Sequence, residues 1–469
     1  MKVPTDAYLW AQSTFGQCNL GDPRRSARLI DYAARQVQCP DSSIVASCKG
    51  DSAAMEGAYR FLRNPAVNPN DIDAGVYAST VQQCEGRAVL LVIQDTTSVE
   101  VAHKPLRQKL AQPGSPTGFV VHTALAVDGR SGIPIGVLEQ SRWIRPRGKA
   151  DPDRTYQDKE SFKWEAASNL VHERLGEQSR SAITVCDREA DLYEYLEFLI
   201  RQEHRFVIRS SDNRRLPGGL RLWDEMAKMK LVGYRQITIG QRGPYYDTYG
   251  DKRAGRPKRD AKFEVRAARI SISRPGSNKS GNETLSINAI YVREIDVEEG
   301  QEPLEWRLFT TEPIDTIEQA STDISYYEKR WLIEEFHKSW KTGCRVETRP
   351  FQDLDNVERF LSITMSIGVR LLQLKACAEE DGSQSCERLL SPEEWQCLYS
   401  ISENKPPPDA PPTIAWAQKA IARLAGWNDS KGTGRIGWQT MWQGWAIFQN
   451  HLVGWRAAKR NQPAHFYGS

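Results

Sequence analysis

Residues 326–343, YYEKRWLIEEFHKSWKTG, decide how the rest of the chain is read. Arg330, Glu334 and Lys341 follow Tyr327 at offsets of three, seven and fourteen residues, each close to a whole number of helical turns. The spacing therefore predicts one helix with all four side chains on one stripe. A carboxylate set among an aromatic ring and two cations is poorly suited to a solvated face. It suits a site that holds a metal ion against a polyphosphate. Glu335, the next residue, points about 100° away on an ideal helix and is not the expected ligand.

Two strand-like segments precede that helix. AVLLVIQDTTSVEV is a buried apolar run expected to stop at Asp95, and the strand part of AITVCDREADLYEYLEFLI is expected to stop at Asp187. One acidic strand end is ordinary turn chemistry. Two of them on neighbouring strands, with Glu334 on a helix beside that edge, would bring three carboxylates to one point. Two hard divalent ions about 3.5–4 Å apart need such an oxygen set. One ion would activate water or a 3′-hydroxyl, and the other would stabilise the leaving oxygen. The seven histidines show no H-E-x-x-H spacing and the nine cysteines no C-x-x-C pair, so any metal site rests on carboxylates. The scattered, odd-numbered cysteines read as reduced thiols.

Working outward, residues 1–66 read as a helical module. LGDPRRSARL predicts a helix start with Asp22 at the cap and Pro23 at the first position. Arg24, Arg25 and Arg28 follow, and a second helical run, DSAAMEGAYRFLRNP, carries Arg60 and Arg63. Two readings stand for these arginines: helix-dipole partners and surface pairs, or contacts to duplex DNA. Residues 67–375 alternate strands and helices, the pattern of a mixed α/β sheet, interrupted at 212–308 by a β-rich insertion. Residues 249–274 hold nine Lys/Arg against three Asp/Glu, either a solvated loop or a nucleic-acid contact. Residues 376–469 look helical, with the proline-rich linker ISENKPPPDAPPT and after it six tryptophans, three of them (Trp438, Trp442, Trp445) on one helical stripe. Core packing and a subunit interface both fit that stripe.

The charge total excludes little. A net charge of +3 makes no case for nucleic acid, so local clustering has to. Charged residues at 26% and hydrophobic ones at 39% are ordinary for a soluble globular protein of two or three domains. No run approaches the roughly 18 apolar residues of a membrane span, so a soluble, cytoplasmic protein is expected.

LLVIQDTTS, AITVCDREADLY and YYEKRWLIEEFHKSWKTG resemble the three catalytic motifs of bacterial cut-and-paste transposases of insertion-sequence family four, and most closely its Tn-five branch. The resemblance runs nearly end to end. LGDPRRSARL and EGAYRFLRNP look like the family's DNA-binding part, DKESFKW, RFVIRS and PLEWRLFTTEP like its core, and DSKGTGRIGWQTMWQGW like its subunit-pairing region. It implies a ribonuclease-H-like (retroviral-integrase-like) α/β core with helical N- and C-terminal domains. Asp95, Asp187 and Glu334 would ligate two Mg²⁺ ions, with Mn²⁺ as a substitute. Tyr327, Arg330 and Lys341 would grip phosphates at the scissile bond. Trp306 would stack on a flipped base while a DNA hairpin forms, although PLEWRLFTTEP alone reads equally as core. Lys163, Arg209 and Lys338 are further candidate DNA contacts. The implied partners are transposon-end duplex and target DNA, with a homodimer in the synaptic complex, and the implied setting is bacterial and nucleoid-associated when acting.

Two departures are visible: the linker is proline-rich where the family looks lysine-rich, and the basic insertion differs in sequence. A nuclease or junction resolvase on the same fold, or a non-catalytic DNA-binding regulator, are the rival readings. Cleavage without joining would mark the first. An incomplete triad would suit the second, and the triad here is complete.

Overall fold

The chain opens as five helices, each started by a short polar side chain. Asp6 caps α1 (Ala7–Phe15), Asp22 α2 (Pro23–Gln38), Ser43 α3 (Ile44–Ser47), Asp51 α4 (Ser52–Leu62) and Asn68 α5 (Pro69–Cys84). Each accepts a first-turn N–H that has no partner within the helix. Asp22 bonds the Arg24 N–H at 2.9 Å and Pro23 takes the first position, as its sequence predicts. The burial of one face follows. Leu29, Tyr32, Ala33 and Val37 of α2 are buried, at the three-to-four-residue spacing of one helical side.

The computed structural model of the chain describes residues 6–111, 115–148, 153–240, 243–246, 251–253, 255, 258–276, 281–297, 303–380, 382–430 and 436–461. It is a mixed α/β fold that packs as two units. One comprises Met1–Pro152, Leu170–Ser179 and Trp331–Ser469; the other comprises Asp153–Asn169 and Arg180–Arg330.

In the first unit β1 (Leu90–Glu100) is followed by α6 (Lys104–Leu110), β2 (Gly118–Asp128) and β3 (Pro134–Trp143). The three strands pair antiparallel in the order β3-β2-β1. Here the structure corrects one expectation. Asp95 does not end its strand: β1 continues to Glu100, and Asp95 pairs with Thr123 in mid-strand. The apolar run stops there, but Thr96, Thr97 and Val99 are good strand formers and extend the ladder with Ser98 between them.

The second unit contains most of α7 (Lys163–Leu175), then β4 (Ala182–Cys186), α8 (Tyr193–Arg201), β5 (Arg205–Arg209), α9 (Leu222–Lys228), β6 (Leu231–Ile239), β7 (Tyr245–Tyr246), β8 (Lys252–Arg253), β9 (Arg259–Ser273), β10 (Thr284–Ile295), β11 (Glu305–Thr310) and α10 (Ile317–Glu328). β4 and β5 are parallel, and β5-β11-β10-β9-β6 continue antiparallel. Among the described residues, 212–308 is thus mostly strand, with one short α-helix. The second unit's core joins Trp164, Tyr195, Phe198, Phe206 and Phe309 to Met226, Ile272 and Tyr291 of that insertion. Several cations of the basic segment are engaged locally: Arg259 forks onto Glu294 at 2.9 Å and Arg266 meets Glu264 at 3.1 Å. Residues 249–250, 254 and 256–257 of that segment lie outside the described residues.

The helix expected over 326–343 is not continuous. α10 ends at Glu328, a turn spans Lys329 and Arg330, and α11 (Trp331–Lys338) begins anew. Ser339–Gly343 is then a π-helical turn. A π turn adds about one residue per turn, so a three-, seven-, fourteen-residue stripe computed on an ideal α-helix does not carry through to Lys341.

The first unit closes with α12 (Leu354–Glu380), α13 (Pro392–Glu403), α14 (Ile414–Leu424) and α15 (Trp438–Asn461). The tryptophan question is largely answered by burial. Trp427 and Trp445 belong to the core of α13–α15, Trp416 and Trp455 pack against it, and Trp442 is buried. The Trp438 side chain lies outside the described set. The eight described cysteines are free and buried. Among the described residues no helix is long and apolar enough to cross a membrane.

Candidate active site

The expected triad is divided between the units: Asp95 and Glu334 belong to the first, Asp187 to the second. In the first unit the strand alternation of β1 sends Asp95 to one face and Gln94 and Thr96 to the other. On that other face the buried His122 bonds both neighbours, Nδ1 to Thr96 Oγ1 at 3.0 Å and Nε2 to Gln94 Oε1 at 3.1 Å. This polar clasp locks β1 to β2 behind the carboxylate. The Thr96 N–H donates to Asp95 Oδ1 at 2.8 Å.

Helix α11 packs on β1. His337 Nδ1 lies 3.9 Å from Asp95 Oδ2. His337 is buried, and its Nε2 has no hydrogen-bond partner. Burial, then the charge of Lys341, push its pKa down to about 3, so the ring is neutral. Glu334 precedes His337 by three residues on the same helix and is half-buried; side chains so spaced are neighbours on one face. Glu335 is held elsewhere, bonded to Lys375 Nζ at 2.9 and 3.2 Å.

Lys341 extends its Nζ to the Ser98 carbonyl at 2.7 Å and to Glu347 Oε1 at 3.1 Å. Lys338 is exposed and lies over the ring of Trp331 at 4.7 Å, with Trp331 itself half-exposed.

In the second unit Asp187 follows β4 directly, at the strand end that sequence predicts. Its carboxylate accepts the Glu189 N–H at 2.9 Å and caps a short 3₁₀ turn, Arg188–Ala190. Lys163 bonds Glu189 at 2.6 Å and is nearly buried. Arg209 reaches the Glu305 carbonyl at 3.4 Å. Trp306 sits in β11 opposite Val292. Its half-buried indole stacks on Phe263 (centroids 6.0 Å apart, 14° between planes) and meets Tyr327 edge-on at 6.1 Å. Tyr327 is buried, and the backbone N–H of Arg330 bonds the Tyr327 carbonyl at 2.9 Å.

The arginines of the N-terminal helices divide sharply. Arg25 donates to the carbonyls of Leu20 and Ala66, and Arg28 pairs with Asp31 and crosses α4 where Gly57 leaves room. These two hold the helices together. Arg24 pairs with Asp22 at 2.8 Å yet keeps 91% of its side chain exposed, Arg60 pairs with Glu56 at the surface, and Arg63 lies over Tyr59. Arg24, Arg60 and Arg63 are the three open to a partner.

Two residues at this site were missed in the sequence reading. His337 stands three residues beyond Glu334, a helical neighbour by spacing alone, and was passed over because it belongs to no metal-ligand motif. Glu347 carried no periodic signal: it reaches Lys341 only because the chain reverses at Arg345, whose φ is +52°.

Asp95, Asp187 and Glu334 offer hard oxygen donors of the kind Mg²⁺ or Mn²⁺ takes. Among the described residues, no three His, Cys, Asp or Glu side chains are grouped as a metal site. A family model described as Transposase DNA-binding matches residues 7–67. Another, described as Transposase DDE domain, matches residues 90–367, more than half of the 469 residues. Among solved structures the chain is similar to a cryo-EM structure of a piggyBac transposase synaptic complex with hairpin DNA. The identity is 9% and the TM-score 0.37, over 99% of this chain and 83% of that one, which is too slight a likeness to assign any residue or step.

Proposed function

Because this chain belongs to the transposase DDE-domain family, we propose that it is a metal-dependent cut-and-paste DNA transposase of insertion-sequence family four, resembling its Tn-five branch. As a member of that family it is a nucleic-acid phosphoryl-transfer enzyme with a DNA-binding region. The finer reading rests on one observation above all: the helix that bears Glu334 packs on the strand that bears Asp95. A ribonuclease-H-like core over 67–375, with its insertion at 212–308, accommodates that pairing. Residues 1–66 would bind the transposon end, and 376–469 would pair subunits as a homodimer in the synaptic complex.

Asp95, Asp187 and Glu334 would together hold two Mg²⁺ ions, or Mn²⁺ in their place, which when bound activate the attacking oxygen and stabilise the leaving one. The chain's other groups position DNA. Arg330 and Lys341 neutralise phosphates near the scissile bond, and Tyr327 orients a phosphate oxygen through its hydroxyl. Trp306, which packs on Phe263 and Tyr327, would stack on a flipped base. Lys163, Arg209 and Lys338 are further contacts to the strands, and Arg24, Arg60 and Arg63 to the end duplex. A nick would expose a 3′-hydroxyl, which attacks the opposite strand to close a hairpin. Water reopens the hairpin, and the freed 3′-end joins target DNA. Each step is an in-line displacement at phosphorus, so one constellation serves all four.

The test is a cleavage and joining assay in Mg²⁺ on duplexes carrying the sequences that flank the gene, comparing wild type with Glu334→Ala. Hairpins and joined products that vanish in the variant are expected. Nicking with no hairpin or joining would make the protein a nuclease, and DNA binding without cleavage would make it a regulator.

A further inference from the structure

Lys341 is not waiting for DNA with an empty ammonium. Two of its three N–H donors are spent within the first unit, on the Ser98 carbonyl at 2.7 Å and on Glu347 Oε1 at 3.1 Å. The same Glu347 oxygen accepts the backbone N–H of Glu100 at 3.1 Å. One carboxylate therefore ties a lysine to β1, and Ser98 and Glu100 flank the tie on the strand that also bears Asp95. The loop that delivers it is constrained. The π turn Ser339–Gly343 carries Lys341, the chain reverses through Arg345 in the left-handed region, and the 3₁₀ turn Val346–Thr348 presents Glu347. A non-glycine residue at positive φ is uncommon and costs energy, and here it sits in the segment joining the two paired residues.

We infer that Glu347 is a positioning residue: it fixes the Lys341 ammonium against β1, so that its remaining N–H meets a DNA phosphate beside Asp95. This rests on the proposed role of Lys341 as a phosphate contact. A lysine head on four rotatable bonds is a mobile point charge. Clamped between a carbonyl and a carboxylate it is placed in advance of the reaction, which is where positioning gains rate. The clamp has an opposing effect, because its negative charge repels the phosphate that Lys341 attracts. Glu347 should therefore help the chemical step and weaken ground-state DNA binding, two effects that a bracing residue would not combine.

The experiment compares the full-length wild type, Glu347→Ala, Glu347→Gln, Lys341→Ala and the Lys341→Ala/Glu347→Ala double variant. It uses flanking-sequence duplex in Mg²⁺, with single-turnover cleavage at saturating DNA and DNA affinity against salt measured separately. Glu347→Ala is expected to slow cleavage on the order of tenfold to a hundredfold while binding DNA as tightly as wild type or more so. Glu347→Gln keeps an acceptor for Lys341 and for the Glu100 N–H, and should recover most of that rate while still binding DNA more tightly. The double variant should be no slower than Lys341→Ala, since Glu347 acts through the lysine. An additional loss in the double variant, or no rescue by glutamine, overturns the proposal. If Lys341→Ala alone cleaves like wild type, it is the phosphate role of Lys341 that fails, and the positioning role fails with it.

Discussion

His337 Nδ1 stands 3.9 Å from Asp95 Oδ2, with the other ring nitrogen buried and unpartnered. The ring is therefore neutral, with its pKa pushed down to about 3 by burial and by Lys341. In the unfolded chain the same ring takes a proton near pH 6.5. Between those values the unfolded state binds a proton that the folded state refuses, so stability falls as pH drops from about 6.5 toward 3. His337→Gln removes that liability while keeping an amide donor. Thermal melts at pH 7 and pH 5 should show the variant losing a few degrees less than wild type on acidification. Parallel losses would mean that His337 is already protonated in the fold.

Glu334 and Glu335 are adjacent, and the proposed function gives them different work. Glu335 is paired with Lys375 at 2.9 Å, and both side chains are mostly buried. Glu335→Gln removes the carboxylate charge from that pair and should cost about 1–3 kcal/mol of stability, with cleavage per folded molecule preserved. Glu334→Gln keeps a hydrogen-bonding side chain of the same length, so the variant should stay folded. It should cut cleavage by at least about a thousandfold, the equivalent of ~4 kcal/mol of barrier. Guanidinium titrations alongside the cleavage assay separate the two. An inactive, fully folded Glu335→Gln would reverse the assignment.

How much of this could be read from the chain depends on whether the controlling interactions are local. The cap at Asp22, the buried strand β4 and Asp187 at its strand end are set by neighbours in sequence, and they were legible. Asp95 in mid-strand was not, because the polar residues after it extend β1 through pairing with β2, a tertiary choice. The break at Lys329–Arg330 and the π turn at Ser339–Gly343 were equally hidden: nothing between Tyr326 and Gly343 is a proline or an internal glycine, the usual signals of interruption. Of the tryptophan stripe, Trp445 joins the core of α13–α15, a placement that comes from packing between helices and that spacing alone left open. Arg25 and Arg28 looked like Arg24 in sequence. Their separate roles come from the Leu20 and Ala66 carbonyls outside the helices and from Gly57 of α4.

Asp323 on α10 gives a pH dependence of the opposite sign from His337. It is buried in the second unit, and one of its carboxylate oxygens has no hydrogen-bond partner. Burial first, and the neighbouring Glu312 second, push its pKa up to about 8. Glu312 is itself forked onto Arg205, so that cation is already shared. The folded state holds a proton on Asp323 that the unfolded chain releases near pH 4, so stability is lost as pH rises from about 4 through about 8. Asp323→Asn imitates the protonated form. It should match wild type in thermal melts near pH 4 and melt several degrees higher at pH 8.5.

Gly444 and Gly454 lie on the same helix and predict opposite outcomes for the same substitution. A Cβ on Gly444 would fall 2.7 Å from the Ile421 carbonyl carbon of α14, and backbone cannot swing aside as a side chain can. Gly454 has nothing within 4 Å of its Cβ position. Alanine favours a helix over glycine by roughly 1 kcal/mol, so Gly454→Ala should stabilise the protein by up to that amount. Gly444→Ala has the same gain, but it must push α15 off α14 and disturb the packing of Trp445 and Phe448, which belong to the same core. A net loss of about 1–3 kcal/mol is expected. Because the clash involves neither β1 nor α11, cleavage by the protein that remains folded should be close to wild type on a single-end duplex. A loss of paired-end joining alone would locate subunit pairing on these helices. Equal melting temperatures for the two variants would mean that α14 and α15 do not approach this closely in solution.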